Sequence, residues 1–112
     1  MAALSNMFDI NKIKEIAQLD KIVFKKHALA RMLERSILSD DVKEVLLDFI
    51  PIEDYYDDKP FPSLLILGYT KDRPLHAVVS FDIESEVIFV ITIYEPSVEL
   101  WDNNFKTRRK KI

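Results

Sequence analysis

An α+β fold, a two-layer sandwich with two or three helices on one face of a four-stranded, largely antiparallel sheet, is predicted by three features of this 112-residue sequence. Leu64–Thr70, Pro74–Asp82 and Glu86–Glu95 are rich in Val, Ile, Phe, Tyr and Thr and are joined by short polar links, the pattern of consecutive antiparallel strands. In the middle run Leu75, Ala77, Val79 and Phe81 alternate with His76, Val78, Ser80 and Asp82, so one face is committed to a core. Before this meander, three segments carry apolar residues at helical spacing and can cover that face.

The helices come first in the chain. Met1–Met7 is expected to be loose. Asp9 or Asn11 can cap a helix running to about Asp20, with Ile10, Ile13, Ile16 and Ala17 as its apolar stripe. Lys21–Phe24 is a short extended lead-in to a second helix over 25–35, whose packed side is read as Ala28, Leu29, Met32 and Leu33. His27, Arg31 and Arg35 stand at i, i+4 and i+8 along one edge, a spacing that suits either an anion site or an ordinary solvated edge. Ser39 caps a third helix with Asp40 and Asp41 in its first turn and Val42, Val45, Leu46 and Phe49 buried. Pro51 ends it, and 50–56 reads as an edge strand. Glu53, Asp54, Asp57 and Asp58 lack the spacing of a metal site and read as an exposed acidic loop.

The register of the meander follows from segregation of its faces. Lys71-Asp72 as a two-residue turn pairs Thr70 with Arg73 and puts Leu64, Ile66 and Gly68 in the core. For the second hairpin, a Glu84-Ser85 turn would place Phe81 with Ile88 and Tyr94. A three-residue link, 83–85, instead pairs Asp82 with Glu86 and turns Val87, Phe89, Ile91 and Ile93 inward, the cleaner division. It leaves Tyr69, His76, Thr92 and Tyr94 as a polar patch on the other face, with His76 opposite Thr92. Such a patch fits chemistry or ordinary solvation.

Composition narrows the classes of function. The chain is one domain, 1–105, followed by a basic tail, 106–112, in which Lys106, Arg108, Arg109, Lys110 and Lys111 hold five of the 16 basic residues. The body carries 11 basic against 19 acidic side chains, a net −8, so any contact with RNA must be local. The tail suits RNA, an acidic partner or a disordered end dispensable for folding. Trp101 either pins it to the body or serves an interface. Cysteine is absent, which excludes disulfides and thiolate zinc sites, and no run is apolar enough for a membrane. A cytoplasmic protein without membrane contact, metal or cofactor is expected. There is no repeat, phosphate loop, HExxH motif or serine elbow.

Phe24–Ile37, with its F-x-x-H-A-x-x-R-M-x-x-R pattern, then Tyr55–Tyr69, Arg73-Pro74-Leu75-His76 and Tyr94-Glu95-Pro96, together resemble the prokaryotic domain-of-unknown-function family 4258 over about residues 21–105. The sequence departs from that pattern at Lys25, where Ser or Thr is frequent, at Ser36, where Gly is frequent, and at Lys71-Asp72, which lacks glycine. The family is similar at a distance to RelE-like and ParE-like toxins. That similarity implies a RelE-like fold and a metal-independent endoribonuclease of a toxin–antitoxin system, with RNA as substrate and a cognate antitoxin as partner. His76, His27, Arg31, Arg73 and Tyr94 are the implied catalytic candidates. Tyr69 and Arg35, with Lys106, Arg108 and Arg109 of the tail, are the RNA-binding candidates. An open patch around His76, Tyr94 and Arg73, bordered by Arg31, is expected. A non-enzymatic protein-binding or regulatory module is the alternative, and a His76 sealed by neutral hydrogen bonds would favour it.

Overall fold

The computed structural model describes residues 9–82 and 84–110, so the expectations for Met1–Met7 and for Lys111 lie outside the described residues. In chain order the elements are α1 (Ile10–Gln18), β1 (Ile22–Phe24), α2 (Lys26–Arg35), α3 (Ser39–Leu47), β2 (Ile50–Tyr55), β3 (Ser63–Thr70), β4 (Arg73–Asp82) and β5 (Val87–Tyr94). The sheet has five strands rather than four, in the order β1-β5-β4-β3-β2. The extra one is the lead-in at Lys21–Phe24, which pairs parallel to β5, while the other pairs are antiparallel. Three residues are too few to show a strand's periodicity, which is why the sequence alone gives four.

The Asp9 carboxylate caps α1 by accepting the Lys12 N–H at 3.0 Å, and Ile13, Ile16 and Ala17 are buried. In α3 the residue before the helix is Leu38, not Ser39. Its N–H donates to the Asp41 carboxylate at 2.9 Å, so the cap is supplied from inside the first turn. α3 rests directly on β3 at Gly68, where an added Cβ would stand 2.6 Å from Val45 Cγ1. α2 has no side-chain cap at Lys25 and ends at Ser36 in the left-handed region, φ 56°. It buries Ala28 and Met32 only. Leu29 and Leu33, expected to pack, are exposed, because α2 flanks β5 rather than lying over the sheet and so presents a narrow strip to the core. Among the described residues no helix is long and apolar enough to cross a membrane.

The first hairpin has the expected register, Thr70 opposite Arg73, with Lys71 and Asp72 both at positive φ as this tight turn demands. Leu64, Ile66, Leu75, Ala77 and Val79 are buried as expected, and Phe81 packs half-buried against them. The second hairpin corrects the three-residue link. The Asp82 carboxylate accepts the Glu84 N–H and the Ser85 hydroxyl, and Glu86, at φ 54°, returns its N–H to the Asp82 carbonyl. Glu86 thus belongs to the link, and Asp82 pairs with Val87. This is the register set aside as mixing core and rim. A bulge at Ile91 removes the objection: Ile88 and Val90 face the core before it, Ile93 after it, and His76 comes to lie opposite Tyr94 instead of Thr92.

The other face of the sheet is not open as expected. The chain beyond β5 folds back across it as a tight loop in which Trp101 bridges Arg108, the Asp102 N–H donates to the Thr107 carbonyl at 2.8 Å, and the Arg109 N–H donates to the Leu100 carbonyl at 2.8 Å. Residues 106–109 are therefore part of this layer rather than a separate tail after Phe105. Trp101 does pin the segment to the body, at 2% exposure.

Candidate functional site

His76 shows what the C-terminal layer does. It lies on β4 between Leu67 of β3 and Tyr94 of β5, on the face opposite the helices. Trp101 meets its ring edge-on, 4.5 Å between centroids, and the imidazole is fully buried. Nε2 stands 2.7 Å from the Phe105 carbonyl and must carry the proton, so Nδ1 accepts from the Tyr94 hydroxyl at 3.2 Å. Burial holds His76 below the ordinary imidazole range, with the Arg108 charge adding to the effect and the Phe105 carbonyl and Glu53 opposing it. A neutral, doubly bonded imidazole under an indole is a structural bridge, the arrangement that favours a non-enzymatic module over an enzyme built on His76. The expected open patch around His76 is thus corrected, because Trp101 and Phe105 occupy the space above it.

Arg73 is also withdrawn from the catalytic set. Its Nε donates to Glu95 at 2.8 Å and its Nη2 to the Arg35 carbonyl at 2.8 Å, with Ser36 O also near, so it closes the C-terminal end of α2 onto the end of β5. Arg109 is spent on the Val98 and Trp101 carbonyls. Tyr69 is half-exposed opposite Pro74, and Lys106 is exposed; neither is in the lining of the cleft where the other candidates meet.

The remaining candidates do converge. β1 ends at Phe24, opposite Val90, so along this edge the rest of β5 has no strand beside it, and α2 takes that place. The helix edge bearing His27, Arg31 and Arg35 thereby reaches round the sheet to the outer face. There it meets Thr92 and Tyr94 of β5 and Arg108, Leu100 and Trp101 of the C-terminal layer around a cleft of about 410 Å³. His27 is exposed at its rim. Arg31 pairs with Glu34 at 3.0 Å, both partly in solvent, a contact of the kind that contributes little and can be exchanged for another anion. Arg35 has no ion pair among the described residues.

Arg108 is held by two bonds to Glu53, 2.9 and 3.1 Å, and lies over the Trp101 ring at 4.7 Å. The arginine pulls the Glu53 carboxyl below its usual range, while burial opposes this. Tyr55, which donates to Glu53 at 2.8 Å, is pushed up to about 12, by burial first and then by that carboxylate. Burial also raises Tyr94, so its phenol stays protonated at neutral pH and serves as a donor. The cleft thus joins guanidiniums, a solvent-facing imidazole and the side chains of Tyr94 and Trp101, with the Glu95 carboxylate also in its lining; guanidiniums of this kind can fork onto an anion's oxygens. Sequence reasoning missed Glu53 as the anchor of Arg108 and Trp101 as a wall of the cleft. Only the fold-back of 97–109 brings them there.

The exposed acidic loop expected at Glu53, Asp54, Asp57 and Asp58 is corrected: Glu53 and Asp54 lie half-buried in β2, where Glu53 holds Arg108 and Asp54 Oδ2 is buried without a hydrogen-bond partner among the described residues, and Asp58 accepts the Ser63 hydroxyl. Compared with known proteins, residues 24–95 match the family model described as Domain of unknown function (DUF4258), a span that includes all the α2 and β5 residues of the cleft. No curated protein and no solved structure matches the chain.

Proposed function

This chain belongs to the DUF4258 family, and we propose that it is an RNA-binding protein of the toxin type whose phosphodiester site is the cleft between α2 and β5. The observation that carries this reading is the meeting of Arg31 and Arg35, one turn apart on α2, with Arg108 from the far end of an otherwise acidic chain. A guanidinium forks onto phosphate oxygens, and Tyr94 is the ring beside these arginines that can take a base, because Trp101 is buried beneath Arg108. Helices on one face of a largely antiparallel sheet support a RelE-like reading of the fold. Such a protein would act on RNA in the cytoplasm, with a cognate antitoxin as partner.

Binding of a short labelled RNA, followed by anisotropy over a salt series, tests the proposal. Three guanidiniums engaged on a single strand give a slope of about −2 in log affinity against log salt, and Arg35→Ala flattens it by about 0.7. No binding at low salt, or a slope indifferent to Arg35, overturns the reading.

A second reading, cleavage by attack of the 2′-hydroxyl on the adjacent phosphate, is favoured by one observation: His27 faces solvent in the same cleft as the arginines, so a proton-transfer group survives the sealing of His76. Incubation of the full chain with RNA, with and without ribosomes, should then yield products that His27→Ala reduces by about 10²-fold. Intact RNA in both arms leaves binding alone.

A further inference from the structure

A larger cavity, about 510 Å³, lies on the same outer face at the other end of β5. Phe61 and Phe89 form its floor, their rings stacked at 5.9 Å and within 9° of parallel, and Lys25 Nζ stands 5.1 Å over the Phe89 ring. Lys59 and Asp58 complete the rim, and Asp58 is engaged by the Ser63 hydroxyl. Half-buried phenyl rings beside two lysines are an apolar platform under a positive field, which suits a planar aromatic group attached to an anion.

The cavity adjoins the cleft at two points. Ile91 lines the cavity and Thr92 lines the cleft, because the bulge leaves Ile91 unpaired next to Thr92, which lies opposite Val78. Lys25 lines the cavity and His27 the cleft, at the point where β1 turns into α2. Lys25 is fixed there by its N–H, which donates to the Val90 carbonyl at 2.9 Å. From Tyr94 to Phe89 the surface follows about 17 Å of strand, five residues at roughly 3.3 Å each.

We propose that this cavity is a nucleobase subsite: a base of the RNA strand whose phosphodiester lies on Arg31 and Arg35 stacks on the Phe61–Phe89 pair, with Lys25 against the phosphate between the two positions. The inference rests on the reading of the cleft and adds the direction of the strand, along β5 from Tyr94 towards Phe89. It also accounts for Phe61, which is carried on a loop outside the sheet yet is stacked on a strand residue.

The test compares the full chain's affinity for a labelled hexaribonucleotide and for a strand with the same number of phosphates but no bases. Stacking of one base gives the base-bearing strand an advantage of about 5-fold or more. Phe89→Leu, which keeps apolar volume without a ring, removes most of that advantage and leaves the salt slope intact. Arg35→Ala flattens the slope and keeps the advantage. Circular dichroism establishes that each variant is folded, and Phe61→Leu serves in place of any Phe89 variant that is not. Equal binding of the two strands by the wild type, or an advantage retained in the Leu variants, overturns the subsite while the cleft stands. Failure of both strands to bind overturns the cleft and the subsite together.

Discussion

Replacing Trp101 with Ala should be among the most damaging single changes to this chain, although Trp101 follows the last strand and lies outside every regular element. The indole is 2% exposed, meets His76 edge-on on one side and carries Arg108 over its face. A buried indole removes about 150–250 Å² from water, worth roughly 4–6 kcal/mol at about 25 cal/mol per Å² as an upper bound. Truncations of buried Trp cost about 3–5 kcal/mol. The loop around Trp101 is at the surface and can partly collapse, so a loss of about 3 kcal/mol is expected. For a domain of this size that lowers Tm by about 12 °C or more.

Thermal unfolding followed by circular dichroism at pH 7.5 and pH 5.5 gives two readouts. His76 is held below its unfolded value near ~6.5, so its neutral form stabilises the fold fully above that pH. As pH falls below ~6.5 the unfolded chain takes up the proton first, and stability drops by at most about 1.4 kcal/mol per pH unit until the folded pKa is reached. Trp101→Ala uncovers the imidazole, weakens the desolvation and should shrink this acid-side loss. His27→Gln, used as background, removes the only other histidine from the comparison. A fall in Tm of less than about 4 °C, or an acid-side loss as large as in the wild type, would refute the sealed, neutral His76.

Two further predictions concern the opposite face. Asp41, nearly buried, accepts the Leu38 N–H and the Thr70 hydroxyl at 2.9 Å each, and the Leu38 bond, followed by Thr70 and Lys71, holds its carboxyl below the usual range against the cost of burial. Its contribution is present above the unfolded value near ~3.9 and is lost as pH falls through the lower folded value, so Asp41→Asn should cost about 1 kcal/mol or more at pH 7 and progressively less in acid; a cost that does not shrink between pH 5 and pH 2 would contradict this assignment. Gly68→Ala should cost about 1–3 kcal/mol by pressing a methyl into Val45, and Val45→Ala should recover only part of it, because Val45 Cα also lies 3.0 Å from the added carbon. A Tm unchanged by Gly68→Ala would show that α3 can lift from β3 at no expense.

What could be read from the sequence and what could not divide along physical lines. The faces of β3 and β4 and the stripes of α1 and α3 were legible because each is written in local periodicity, residue by residue. The register of β5 was not. It depends on the Asp82 side chain capturing Glu84 and Ser85, and on a bulge that cancels the resulting shift, and a pattern of apolar residues registers neither. In the site, His27, Arg31 and Arg35 were legible as one helix edge, and Tyr94 as an outward strand residue. Arg73 and Arg108 look alike in sequence, yet one clasps the end of α2 and the other enters the cleft. Their roles are set by Glu95, Glu53 and Trp101, partners 22, 55 and 7 residues away. The C-terminal layer was missed for the same reason: it is held by one indole, two arginines and backbone hydrogen bonds, and has no apolar period to announce it.

The shortest strand determines where the cleft can be. β1 pairs with β5 only at Ile88, Phe89 and Val90, and the chain then leaves the edge as α2. One more residue pair would carry β1 to the bulge at Ile91, and two would cover the edge of β5 as far as Thr92 and displace the first turn of α2. The break in pairing and the bulge therefore act together. The first leaves a free edge for a helix bearing cations, and the second turns two consecutive residues of β5 towards solvent beside it. Further along the same face Trp101 covers His76, and with that space filled the polar surface available to a ligand is confined to the side next to α2. In a chain whose body is strongly acidic, this confinement places Arg31, Arg35 and Arg108 around a single concave surface, the one to which the proposed reading assigns an anionic strand.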